Sequence, residues 1–278
     1  MASIRGERLI QRFLALAAAG LIAYLFADTG RWLVHQWWTG EYYSHGPLVV
    51  VVGGVLAWRA SRGIRPATSR IGLLVVAVAL AGHLGALVAR APSLSAFLFL
   101  VVLVGVALWW GGGPALKGFA FPLAFCALAI PLPFMDLLAF PLQMASAQMA
   151  ASLVNLWGVP ASFQGGQVSL TECALTVGAP CSGLRSIVAM TALGGLAAWG
   201  LAGPWWGRGL VLGVAVPVAW LSNMLRVAAL LTVAHVWGAD VALGAFHAAS
   251  SPAFFLGGVG MMAGVAWGVG CRNLRSGL

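Results

Sequence analysis

The sequence predicts an all-α polytopic membrane protein with about eight transmembrane helices and an amphipathic cap on its outer face. The first of three supporting observations is composition: the 278 residues are 61% hydrophobic and only 8% charged, with a mean hydropathy of +0.96, far from the balance of soluble domains. The second is the recurrence of apolar runs approaching the 20 or so residues that a helix needs to cross a hydrocarbon core of roughly 30 Å. The third is the placement of the basic residues between those runs.

The spans are expected near 9–27, 46–58, 71–89, 94–110, 119–134, 183–203, 209–234 and 251–270. Arg5, Arg8 and Arg12 ahead of the first give it the look of a signal peptide. No small-residue cleavage site precedes Asp28, so it is read as a retained helix. The second is short and opens beside Pro47. Between the fifth and sixth spans lies a long connection, 135–182. Its apolar positions Met144, Met149, Leu153 and Leu156 alternate at helical spacing with Ser146, Gln148, Ser152 and Asn155, which predicts an amphipathic helix at the interface. Beyond Pro160, the Gly165-Gly166 pair and the alternating residues around it predict a turn or short hairpin.

With the N-terminus in the cytoplasm, Arg5, Arg8, Arg12, Arg59, Arg62, Arg65, Arg70, Lys117, Arg208, Arg272 and Arg275 fall inside and only Arg31 and Arg90 outside. This is the asymmetry of the positive-inside rule. It puts both termini in the cytoplasm, predicts a multi-pass protein of the plasma (inner) membrane, and explains the net charge of +9 without invoking nucleic acid, because no basic face with interleaved aromatics exists. No linker or repeat divides the chain, so residues 1–278 form one integral-membrane domain, with no soluble domain expected after the last helix. Nothing in the pattern requires a metal or another cofactor.

Ionisable groups at membrane depth are costly and therefore direct attention to function. Arg226 lies inside the seventh span, roughly 25 Å along the helix from Gly209, with Asn223 one turn earlier on the same face. His247 opens the last span and has the side chain whose ordinary pKa suits proton transfer near neutrality. Cys181 follows Pro180, a residue suited to the first turn of a helix. There the helix terminus and Arg185, four residues on, would raise its thiolate fraction. The bland alternatives are a snorkelling arginine, an interfacial histidine, and a cysteine that is a small buried side chain or pairs with Cys173. Tyr43-Ser44-His45-Gly46 precedes the second span, where His45 could be a helix cap, a second base or a substrate contact. His83 sits deep in an apolar span with no partner evident from sequence.

The joint order of Tyr43-Ser44-His45-Gly46, Cys181-Ser182-Gly183-Leu184-Arg185, Asn223-x-x-Arg226 and His247 resembles the exosortase/archaeosortase family over most of the chain. The resemblance implies a membrane-embedded cysteine protease or transpeptidase at the outer face. Its partners would be membrane-anchored exported proteins bearing a C-terminal sorting signal: a short motif such as Pro-Glu-Pro, one transmembrane helix and a basic tail. It further implies Cys181 as nucleophile, Arg226 as transition-state cation and His247 as general acid/base. Arg185, Asn223, Ser182, His45 and Tyr43 are supporting or substrate-binding candidates. A thioester on Cys181 would pass the substrate to an envelope acceptor or to water. Ala179-Pro180 before the cysteine and Ala-Ser after His247 depart from the family pattern and bear on subfamily and signal.

Other classes make different demands. A transporter or channel would line a polar path with Arg226 and His247, yet the ionisable residues cluster at one depth and no symmetric pair of broken helices is present. A scaffold for envelope polysaccharide assembly would not need Cys181. A serine protease would use Ser182 with His247.

Overall fold

A computed structural model describes residues 2–165, 167–171, 173–176, 178 and 182–275. Cys181, together with Ala179 and Pro180, lies outside the described residues. The chain begins with α1 (Ala2–Leu25) and α2 (Ala27–Thr39), which meet at Phe26. The helix α3 (Gly46–Ser61) carries Pro47 in its first turn and extends beyond the expected 46–58. The helices α4 (Arg70–Val88) and α5 (Pro92–Ala127) form a tight hairpin, followed by α6 (Met135–Leu156). Its length and hydropathy suffice for a membrane crossing.

The span expected at 94–110 and the first nine residues of that expected at 119–134 fall in one 36-residue helical element, which ends at Ala127. Unbroken, such a helix would run about 54 Å, well beyond a hydrocarbon core. It is broken at Gly112, whose φ of 59° and ψ of −148° lie outside the helical region. A side chain there would be strained, and its Cβ would lie 2.9 Å from the Ala67 carbonyl oxygen. The loop before α4 closes on this break, Ala67 N–H and Ser69 N–H donating to the carbonyls of Trp110 and Trp109.

A three-stranded antiparallel meander follows α6, with β1 (Ala161–Gln164), β2 (Gln167–Leu170) and β3 (Ala174–Thr176) in spatial order. Gln164 pairs with Gln167 across the expected turn, and Gly165 supplies a φ of +56°. Val168 and Leu170 turn inward onto Ala147–Val154 of α6 and Val227–Ala234 of α8. Asn155 ties the helix to the sheet: its amide donates to the Ala161 carbonyl at 2.8 Å and its oxygen accepts the Ala161 N–H at 2.9 Å.

The remaining elements are α7 (Leu184–Gly200), β4 (Leu201–Ala202), α8 (Trp205–Trp237), α9 (Ala239–Val241), a π-helical turn (Ala242–Phe246), α10 (His247–Gly268) and β5 (Asn273–Leu274), which pairs with β4. Among the described residues, α4, α5, α6, α8 and the run Ala239–Gly268 are long and apolar enough to cross a membrane. Three shorter apolar helices accompany them, Ala15–Leu25, α3 and α7. This is an all-α membrane protein with a small sheet at one end. The first turns of α6, through Met135 and Ala139, pack on Tyr43 and Leu184, and its last turns pack on the C-terminal third of α8. Both ends of α6 therefore meet the end of the bundle where α7 begins and α8 finishes.

The sequence offered no partner for His83, and the fold supplies three. The ring is fully buried, with Nδ1 2.9 Å from Ser95 Oγ, Nε2 3.1 Å from the Leu25 carbonyl, and Phe26 stacked on its face at 3.9 Å. The break between α1 and α2 frees that carbonyl, and His83 satisfies it from α4. Ser95 also bonds Thr29, so one polar cluster clamps α2, α4 and α5.

Candidate active site

Asn223 and Arg226 project from the same face of α8, one turn apart, 3% and 6% exposed. Burying a guanidinium is expensive unless its donors are used. Arg226 Nη2 lies 3.0 Å from His247 Nε2, and Nε donates to Ser250 Oγ at 3.4 Å. Because arginine only donates, Nε2 must be the acceptor, and the proton of the neutral imidazole is then on Nδ1. Ser250 in turn donates to the His247 carbonyl at 3.1 Å, so Arg226, His247 and Ser250 form a closed triangle between α8 and α10.

His247 is the first residue of α10, immediately after the π-helical turn, within which Gly244 departs from helical geometry (φ −86°, ψ −118°). A π segment rotates the residues that follow relative to those before it, and such bulges recur at functional sites. Here it aims the imidazole at α8.

The turn leading into α7 approaches the same point. Gly183 has a φ of +78°, and a Cβ on it would lie 3.0 Å from Asn223 Cβ and Nδ2. Ser182 is 1% exposed and its hydroxyl accepts the Leu184 N–H at 3.3 Å. Burial to that degree counts against Ser182 as a nucleophile. Asn223 thus packs against a residue two positions after Cys181 in sequence, and Arg226 is its neighbour one turn on. A cavity of about 10 Å³, room for roughly one water, lies among Ser186, Ser222, Asn223, Arg226 and Ser251.

The other candidates lie beside this point. Arg185 is exposed, and its Nε donates to the Glu41 carbonyl. Tyr43 is buried, its hydroxyl accepting the Leu132 N–H at 3.2 Å while its ring stacks on His45 at 5.8 Å. Burial raises the Tyr43 phenol above its ordinary range. Tyr42 is pushed up to about 12, first by burial and then by Asp136 and Glu41. Its hydroxyl holds the 40–45 loop against the start of α6.

His45 occupies the N-cap position of α3 but makes no capping bond. Both ring nitrogens are shielded from solvent. Burial lowers its pKa, opposed in part by the Leu128 backbone.

Among the described residues Cys126, Cys173 and Cys271 are free thiols. Ser250 was missed from sequence. Its spacing of three from His247 would have marked it, since both lie on one helical face.

The family model for transmembrane exosortases matches residues 37–264. No curated protein and no solved structure gives a match. The matched range holds every residue of the Arg226–His247–Ser250 triangle and stops short of α1 and most of α2.

Proposed function

The chain belongs to the transmembrane exosortase family, and from that premise we propose that it is a membrane-embedded cysteine transpeptidase acting on the C-terminal sorting signals of exported proteins. In this reading residues 1–278 act as one domain of the inner membrane with both termini in the cytoplasm. The sheet, with α6 lying against the same end of the bundle, forms the outer cap of the site. The observation that carries the proposal is the Arg226–His247 contact at 3.0 Å beside the Gly183 turn, the turn that Cys181 enters from the N-terminal side.

The resting triangle suggests an order of events. Arg226 leaves His247 Nε2 for the oxygen of the scissile carbonyl, and the freed Nε2 takes the Cys181 thiol proton. The thiolate attacks the peptide carbonyl to form a C–S bond, and the C=O π electrons pass to the oxygen as an oxyanion that Arg226 stabilises. The imidazolium and the guanidinium, both cations, are by then no longer at hydrogen-bond distance. The tetrahedral adduct then collapses, the C–N bond breaks, His247 returns the proton to the leaving amine, and a thioester remains on Cys181. An acceptor nucleophile, its proton taken by His247, would release the acyl group.

The test is a co-produced reporter carrying Pro-Glu-Pro, one apolar helix and a basic tail. The parent is expected to cleave it, and Cys181→Ala and His247→Ala are expected to lose cleavage at unchanged membrane abundance. Cleavage that survives Cys181→Ala would remove Cys181 as the nucleophile.

A further inference from the structure

A groove of about 480 Å³ runs between α3, α7 and α10. Its polar groups are gathered at one end, where Ser44, His45, Arg185, Ser186 and Ser251 lie, and the remainder is apolar. On α7 the lining residues run from Arg185 to Leu196, about 16 Å of helix, or roughly half a hydrocarbon core. They form a single stripe, with the small residues Ser186, Ala189 and Ala192 at three-residue intervals before Leu196. Small residues in a stripe let a second helix come close in a membrane. Opposite, Leu48 and Val52 of α3 are one turn apart and face the same space.

One feature marks the polar end as open to a partner. Arg185 uses Nε on the Glu41 carbonyl, and the salt bridge seen among the described residues is Arg31–Asp28, so its charge is balanced by no carboxylate there. Arg185 is exposed and lines the groove, and a planar guanidinium matches a carboxylate, which it can bind bidentately.

The groove is also continuous with the candidate site. Ser186, Ser251 and Phe255 line both it and the small cavity that holds Asn223 and Arg226.

We propose that this groove is the docking site for a single apolar helix of a second, membrane-anchored protein, with Arg185 reading a carboxylate at the flank of that helix. The identity of the second protein as substrate rests on the transpeptidase reading; the groove and its polar end do not. A helix seated along α7 brings its flanking peptide past Ser186 and Ser251 toward Arg226. Arg185 is then a specificity-determining residue rather than a participant in bond cleavage.

The experiment uses the full chain in membranes with the same reporter, its flank carrying Glu in one version and Lys in the other. The photo-crosslinking residue p-benzoylphenylalanine is placed at Leu196 in the groove or at Val78, which is 63% exposed on α4, in a His247→Ala background that leaves the reporter uncut. The expected result is crosslinking from 196 and not from 78. Arg185→Glu should lower the yield from the Glu reporter by about tenfold, and the Lys reporter should restore it. The rescue shows that the variant folds.

Equal crosslinking from both positions, absence of crosslinking from 196, or indifference to the Arg185 charge swap overturns the proposal. That includes the case in which phospholipid occupies the groove. A reporter that crosslinks as expected but is never cut by the parent keeps the groove and sinks the transpeptidase reading. Cleavage by the parent without crosslinking from 196 does the reverse.

Discussion

Arg226→Ala is expected to lower the rate of reporter cleavage by about 10²- to 10³-fold, the usual loss when one preorganised oxyanion donor is removed from a poorly hydrated site. The reason lies in what the guanidinium does at once. It is 6% exposed and its nitrogens reach His247 Nε2 and Ser250 Oγ, so in the proposed mechanism it orients the imidazole before reaction and carries positive charge to the oxyanion during it. Both functions matter more in the transition state than in the docked substrate. Reporter capture, measured by crosslinking, should therefore change much less than turnover.

Arg226→Lys should fall between parent and Ala. An ammonium restores the charge but is compact, and it cannot span His247 and Ser250 from the same backbone position as a planar fork does. A parent-like rate in Arg226→Ala would remove the residue from the chemistry and leave the triangle as a structural link between α8 and α10.

Gly183→Val should abolish cleavage while costing only about 1–3 kcal/mol of stability, the usual penalty for forcing a left-handed backbone on a residue that resists it. The φ of +78° is available to glycine and strongly disfavoured for a β-branched residue. A Cβ there would also press on Asn223 at 3.0 Å, so the turn must move away from α8. That turn is held by the Ser182 hydroxyl on Leu184 N–H and leads directly back to Cys181 in sequence. A displacement of about 1 Å is enough to cost two orders of magnitude in a positioned reaction. Gly183→Ala should be milder than Val. The check pairs thermal unfolding in detergent with the cleavage rate, and full activity in Gly183→Val would show that the turn does not position the site.

The membrane class and the Arg226–His247 pair were readable from the chain because the physics is local and costly. Apolar run length answers to bilayer thickness, and an ionisable side chain at depth has to find a partner, so one such residue in each of two successive spans points to contact. Ser250 follows the same helical arithmetic and could have been read by it. What escaped depended on tertiary approach. Thr29 and Ser95 lie 66 residues apart in the chain, and no periodicity announces that they meet His83. Nor does hydropathy distinguish two spans from one element broken at Gly112, because the break is made by a backbone conformation. In α6, Ser146 looked like part of a solvent face, yet it is fully buried and accepts the Trp220 indole N–H at 3.0 Å. A pattern of polar positions cannot tell water from a neighbouring helix.

The measurement that bears most directly on the proposed mechanism is the mass of the chain recovered after exposure to the reporter, with the acceptor withheld and the protein digested to locate any adduct. A thioester mechanism predicts an acyl adduct on the peptide containing Cys181 that hydroxylamine removes, and its absence from Cys181→Ala. A reporter cleaved at the parent rate with no adduct at Cys181, and still cleaved by Cys181→Ala, would contradict it.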